Sequence, residues 1–211
     1  KPMQDILDAL GIPVQATLRP PHDTTHCHPW GWSAYITDRL IRNGISPQIV
    51  PNGQQIETIR TLSGRATTRT ILQELHTLLP HYQLPPLPQI LRTDADVERY
   101  VTSQPTSMLK APWSSSGRGV WQVNGAYDTA TARSASGIIR KQGYIMGEEC
   151  KDKVCDLAME YYSDGTTVQF AGYSLFTTDQ RGAYQGNMLA SNDKIEQMLS
   201  QYIATATLHE V

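Results

Sequence analysis

The chain has 211 residues, 39% of them hydrophobic and 18% charged, with a formal net charge of −2. That composition supports a packed core and lacks the basic excess that a nucleic-acid or anionic-membrane partner requires. No apolar run approaches the ~18 residues of a membrane span, so the reading is a soluble, cytoplasmic protein with neither nucleic acid nor membrane as partner. Cys27, Cys150 and Cys155 are odd in number and widely spread, which predicts reduced thiols and no disulfide framework. The missing initiator Met and the stop at "TLHEV" in mid-pattern read as a fragment or a processed chain.

Residues 1 to 32 carry no clear pattern, and "RPPHDTTHCHPWGW" reads as loop. From Ser33 the period becomes helical: Ser33 caps, Tyr35, Ile36, Leu40 and Ile41 share a face, and Asn43-Gly44 supplies the stop. A second helical region runs from about Asn52 to Leu79 and is broken at "SGR", 63 to 65, which predicts two helices. The proline-rich "LPHYQLPPLPQIL", 79 to 91, cannot be helix interior and is taken as an extended linker. A boundary there divides a mainly helical region, 1–84, from a second region, 85–211.

In the second region, Thr93 with Asp96 predicts a capped short helix carrying Val97, Tyr100 and Val101. Strand-like Thr106–Trp113 and Val120–Asn124 flank a Ser/Gly loop, and Asp128–Gln142 reads as a helix ending at Gly143. Strands "YIMGEEC" and "KVCDLAMEYY" follow, and Asp164-Gly165 signals a hairpin into "TTVQFAGYSLFTT". A polar loop, 177 to 187, leads to an amphipathic helix over Asn192–Tyr202 with Ile195, Met198, Leu199 and Tyr202 on one face. The order defines an α+β unit, an antiparallel sheet with helices on one side.

The loop "WSSSGRG" is too long for a two-residue hairpin turn. Its glycines permit backbone N–H groups to converge on an anion, and Ser114, Ser115 and Ser116 add hydroxyl donors. Alternation places Met108, Lys110 and Pro112 on one strand face, with Lys110 beneath the loop. A flexible hairpin tip beside a solvated lysine accounts for the same residues. Neither the Walker pattern nor the dinucleotide fingerprint is present. On "KVCDLAMEYY", Asp156 and Glu160 share a face opposite Cys155, Leu157, Met159 and Tyr161. That face is either a half-solvated strand surface or the wall of a nucleotide cleft whose acids hold ribose or magnesium.

"LKAPWSSSGRGV", a helix, and then "IMGEECKDKVCDLAMEY" resemble the ATP-grasp superfamily in their order: a lysine strand, a glycine-rich flap, a hinge strand with an acid, and an acid-bearing strand. "HPWGWS", "IRTLSGRATTR" and "GEECKDKVCDL" resemble a bacterial ATP-grasp-like group, and the likeness covers about residues 28 to 190. The resemblance implies ATP-grasp-like antiparallel sheets with flanking helices, with ATP and Mg2+ as cofactors. It further implies a small-molecule carboxylate substrate activated as an acyl-phosphate and captured by an amine or a thiol. Lys110 would contact the α-phosphate, and the backbone of Ser115, Ser116, Gly117, Arg118 and Gly119 would close over the β/γ-phosphates. Glu149 would sit near adenine or ribose, Asp156 would face the cleft, and Arg181 would contact the acyl-phosphate or acceptor. The metal acids and E-x-N element of the family do not appear after Ser191, where the acids are Asp193, Glu196 and Glu210. The metal ligands therefore stay unassigned. Truncation before the metal-binding strands is the favoured explanation, and a noncatalytic nucleotide-binding or scaffolding module is the alternative.

His22, His26, Cys27 and His28 offer zinc-type ligands, but adjacent side chains at 26, 27 and 28 do not readily converge on one tetrahedral ion. A cysteine nucleophile is disfavoured because Cys155 falls on an apolar face. "PWGWS" reads as a hydrophobic anchor ahead of a helix. Arg60, Arg65 and Arg69 form the most cationic local patch, either a solvated helix face or a contact for phosphate or an acidic substrate.

Overall fold

The structure, a computed structural model, describes residues 2–14, 26–179, 182–204 and 207–208. It divides into two compact units, Lys1–Thr67 and Thr68–Val211, so the boundary expected at 84/85 lies inside the second.

In the first unit, α1 (Pro2–Ala9) is a helix in the segment that carried no clear pattern. Its short length and the nearby Gly11 and Pro13 leave too few turns for a readable period. Ser33 caps α2 (Ala34–Arg42), its hydroxyl accepting from the Ile36 N–H at 3.3 Å. A 3-10 turn, Pro47–Ile49, precedes α3 (Gly53–Leu62). That helix opens with a reciprocal box in which Asn52 accepts from the Gln55 N–H and Gln55 accepts from the Asn52 N–H. The break at 63 to 65 falls as expected, and α4 (Ala66–Leu78) follows it, belonging to the second unit from Thr68 onward. Arg65 lies in the break, off the helix that carries Arg69.

The second unit contains two antiparallel sheets among its described residues. In the first sheet the order is β1 (Gln89–Leu91), β4 (Ile145–Glu149), β2 (Ser107–Lys110), β3 (Val120–Val123). The segment taken as linker thus ends in a strand. It starts just after Pro88 because proline has no N–H for a ladder. Helices α5 (Asp94–Thr102) and α6 (Thr129–Gln142) cover this sheet, burying Leu91, Val97, Tyr100, Val101, Leu109, Val123, Ala135 and Ile145 in one core. The Thr93–Asp96 box is formed, with Asp96 accepting from the Thr93 N–H and Thr93 Oγ1 accepting from the Asp96 N–H, each at 3.1 Å. Gly147 is required by packing: a Cβ there would stand 2.6 Å from the Tyr100 ring.

In the second sheet β5 (Asp156–Ser163), β6 (Val168–Thr178) and β7 (Tyr184–Asn187) pair in sequence order. Asp164 closes the β5–β6 hairpin by accepting from the Thr166 and Thr167 N–H groups, both at 2.7 Å. The polar loop read at 177 to 187 is in part strand, since β7 pairs Asn187 with Phe176 and Gly186 with Thr177. Edge strands need no apolar alternation, so this one left no pattern to read. Helix α7 (Asn192–Leu199) buries Ile195 and Leu199 against Cys155, Leu157, Tyr173 and Leu175. It ends before Tyr202, which is exposed, so the expected apolar face is one turn shorter.

Candidate functional site

The site is built on the exposed-side register of the first sheet. Lys110 lies opposite Met146 on β4 and Val120 on β3, and Met108 lies opposite Glu148. Directly opposed residues in an antiparallel ladder share a face, and side chains alternate along each strand. Met108, Lys110, Met146 and Glu148 are therefore neighbours on one face, while Leu109 points into the helix-covered core. Lys110 Nζ donates to Glu148 Oε2 at 2.5 Å, with both side chains about a quarter exposed, at 25% and 27%. Met146, on the same face, is fully buried. The alternation predicted for Lys110 holds to the end of β2, but Pro112 lies beyond that end and is fully buried.

Glu149 stands opposite Ser107 and thus on the other face from Lys110. It is exposed and pairs with Lys151 at 2.5 Å. Glu148 is the acid the sequence reading did not single out. Its place beside Lys110 is set by the β2–β4 register, which the alternation along either strand alone does not specify.

The loop from Ser114 to Gly119 is folded. The Ala111 N–H donates to Gly119 O at 2.7 Å, and the Arg118 N–H donates to Ser115 O at 3.0 Å. Ser116 has φ of 54° and Gly117 of 75°, and with the Arg118 N–H to Ser115 O bond these consecutive left-handed residues make the tip a tight hairpin turn. Ser115, Ser116, Arg118 and Gly119 are exposed and Gly117 is half-buried. The tip rests on the β6–β7 turn: a Cβ on Gly117 would come within 2.3 Å of Gly182 O and 2.5 Å of Ala183 Cα. That turn is held by Asp179, whose carboxylate accepts from the Ala183 N–H at 2.8 Å. Arg181, assigned a catalytic role by the resemblance, lies outside the described residues. The base of the loop is anchored where the Trp113 N–H donates to Gln142 Oε1 at 3.0 Å and the Trp113 ring meets Tyr144 edge-on at 5.9 Å.

Asp156 opens β5, opposite Phe176. Its carboxylate accepts from Lys153 Nζ at 2.7 Å and from Thr178 Oγ1 at 2.8 Å. Glu160 is exposed further along the strand. Beside Asp156 is a cavity of about 610 Å3 lined by residues of β5, β6 and β7 and by the end of α7, among them Cys155, Leu175, Thr177, Met188 and Leu199. Cys155 and Leu175 belong to the α7-packed cluster, so the cavity opens on the helix side of this sheet. Burial, then the charges of Glu148 and Glu149, push the Tyr100 hydroxyl above its ordinary value of 10.0.

Among the described residues no group of three or more His, Cys, Asp or Glu side chains could hold a metal ion. His26 and His28 are exposed, and His22 lies outside the described residues. Cys27, Cys150 and Cys155 are free thiols. Arg69 donates to Pro88 O at 2.6 Å. No helix among the described residues is long and apolar enough to cross a membrane.

No protein-family model and no curated protein matches the chain. Among solved structures, N5-carboxyaminoimidazole synthetase from Staphylococcus aureus complexed with ADP is similar at 13% sequence identity and a TM-score of 0.48, over 80% of this chain and 42% of that one. A RimK domain protein ATP-grasp from Sphaerobacter thermophilus DSM 20745 is similar at 14% identity and a TM-score of 0.37, over 80% of this chain and 59% of that one. The chain spans about half the length of these solved chains.

Proposed function

We propose that this chain binds the polyphosphate of a nucleotide, with ATP as the ligand, between Lys110 and the Ser115–Gly119 loop. The observation that carries this reading is the placement of Lys110, a quarter exposed on the face of β2 away from the helix-covered core, at the foot of a loop whose backbone is exposed at Ser115, Ser116, Arg118 and Gly119. A lysine at a strand end supplies a point charge, and exposed loop amides supply N–H donors without a charge of their own. Together they fit an anion with several oxygens better than a single carboxylate. Arg118 is exposed on the same loop and adds cationic reach.

The reaction class we assign is ATP-dependent carboxylate activation, in which an acyl-phosphate is captured by an amine or thiol. Such transfer rests on positioning and charge stabilisation more than on covalent help from the protein. In this reading Lys110 orients the phosphate chain, the loop excludes water from it, and Asp156 and Arg181 keep the roles that the resemblance implies, while Glu149 faces away from Lys110 and is left out. Magnesium belongs to the proposal only as a companion of the nucleotide. Among the described residues no group of three or more His, Cys, Asp or Glu side chains stands ready to hold the ion.

Calorimetric titration of Mg-ATP into the wild-type chain and into Lys110→Ala tests the reading, with thermal melting to show that both are folded. Saturable binding that falls at least about tenfold in the variant supports it, a loss of about 1.4 kcal/mol. Equal binding by both chains, or none by a folded wild type, overturns it.

A further inference from the structure

Apart from Asp156, the lining of the cavity of about 610 Å3 on the second sheet has no part in the nucleotide reading. Its size lies within the ~300 to 1,000 Å3 of small-molecule sites. Leu175, Met188, Met198, Leu199 and Tyr202 give it an apolar wall. Met188 is 44% exposed and Tyr202 52%, so a ligand seated there takes apolar surface out of water. The two methionine thioethers adapt to apolar groups of different shape.

Charge is confined to one corner of the cavity. Among its described lining residues only Lys153 and Asp156 are charged, and they touch, Lys153 Nζ donating to Asp156 Oδ2 at 2.7 Å. Thr178 Oγ1 accepts from the same Nζ and donates to the same Oδ2, the second bond at 2.8 Å. An ammonium has three donors and a carboxylate two oxygens. The corner therefore keeps one N–H of Lys153 and Oδ1 of Asp156 for a ligand. Two other polar side chains of the lining are turned to the protein: Asn187 donates to Ser174 Oγ at 3.0 Å and Gln201 to Met198 O at 2.9 Å. A lone anion at Lys153 would be repelled by Asp156, and a lone cation at Asp156 by Lys153. A ligand with both charges on one carbon escapes both penalties, its carboxylate toward Lys153 and its ammonium toward Asp156.

We propose that this cavity binds a free α-amino acid with an apolar side chain, held at its charged end by Lys153 and Asp156 and along its side chain by Met188, Met198 and Leu199. A peptide separates its terminal charges by the length of the chain between them, so a single amino acid suits the adjacent pair better. The site requires no nucleotide and stands independently of the Lys110 reading.

Calorimetric titration of L-methionine, L-leucine, L-phenylalanine and glycine into the full chain tests the inference, with thermal melting to show that each variant is folded. At least one of the three apolar amino acids should bind saturably. Its N-acetyl and methyl ester forms, each lacking one charge, should bind about tenfold more weakly, and glycine, lacking the apolar body, weaker still. Lys153 and Met188 are both exposed, so their replacement leaves the core intact. Binding should fall about tenfold in Lys153→Gln and about fivefold in Met188→Ser, while Lys153→Arg, which keeps the charge, retains it. The inference is overturned if no apolar amino acid binds the folded wild type, if the two blocked forms bind as tightly as their parent, or if Lys153→Gln and Met188→Ser both bind as wild type does. Lys110→Ala should bind the amino acid unchanged, so a loss of Mg-ATP binding there leaves this site standing, and either reading can fail without the other.

Discussion

The first sheet buries its side chains and the second does not. In the first, Leu109, Ile145 and Met146 are at 0% exposure, as are Val97, Val101 and Ala135 of the helices α5 and α6 that close over one face. In the second, no residue of β5, β6 or β7 is fully buried, and the distal halves of β5 and β6 are exposed, Tyr162 at 64% and Val168 at 69%. Both sheets are antiparallel and joined by turns of good geometry, so the difference lies in packing and not in hydrogen bonding. Segments with few buried apolar contacts open at lower free energy than a close-packed core. Lys110 and Glu148 thus sit on a stiff platform, where their separation is fixed by register, while Asp156 sits on a sheet that can yield. A polyphosphate site needs the first property, and accommodation of a second substrate needs the other.

The largest test of this contrast is a matched pair of truncations, Leu109→Ala in the first sheet and Leu175→Ala in the second. Leu109 is fully enclosed, and its loss should cost about 2 to 5 kcal/mol in urea unfolding. Leu175 is only half-buried and should cost less than about 2 kcal/mol. Equal losses would mean that the second sheet is as tightly held as the first.

Gly147→Ala probes the same platform by adding volume. The new Cβ would stand 2.6 Å from the Tyr100 ring, so either Tyr100 or β4 must shift. Overpacking of this kind costs about 1 to 3 kcal/mol. Because Glu148 follows on the same strand, the variant should also weaken Mg-ATP binding in calorimetry, with recovery in the Gly147→Ala/Tyr100→Leu double variant. A stable variant with wild-type binding would show that the Lys110–Glu148 spacing tolerates movement of β4.

Gly117→Ala perturbs the contact between the loop of the first sheet and the turn of the second. The Cβ would overlap Gly182 O and must be carried at positive φ, so the loop tip lifts from the turn. Global stability should change by less than about 1 kcal/mol, because the loop buries little. Trypsin cleavage after the exposed Arg118 should accelerate several-fold. Unchanged cleavage would mean that the base contacts of Trp113 with Gln142 and Tyr144 alone hold the loop.

Much of the first sheet was legible because its signals are local. The Thr93–Asp96 box, the helix stop at Gly143 and the alternation through Lys110 are fixed by neighbours within four residues, and the structure contains each of them. What escaped depends on pairing between distant segments. Glu148 became visible only when β4 was placed beside β2 in a definite register, since parity on one strand says nothing about which residue of another shares its face. β7 escaped for a related reason: its partner is the end of β6, and an exposed edge of Tyr, Gln, Gly and Asn carries no apolar period. The rest of Gly117 against the β6–β7 turn joins residues far apart in the chain and had no sequence signal at all.

The smallest expected effect separates the sheets by charge. Asp96 and Asp128 hold the N-termini of the helices over the first sheet, and Asp164 holds the hairpin of the second. All three carboxyls lie below their ordinary value of 3.8, Asp96 chiefly through the Thr93 side chain, Asp128 through the Thr131 backbone N–H and Asp164 through that of Thr167. A depressed folded-state pKa binds protons less readily than the unfolded chain does, so the stabilisation is fully present above 3.8 and is lost as pH falls through the folded value. Urea midpoints measured from about pH 6 down to about pH 2.5 should therefore decline on the acid side, and each Asp→Asn variant should flatten part of that decline. If the second sheet is the weaker, amide exchange in β5 and β6 should rise first as pH falls, before α5 and α6 lose protection. Asp164→Asn should remove that early step while Asp96→Asn leaves it in place. Simultaneous loss of protection in both sheets would show that they unfold as one cooperative body despite their unequal burial.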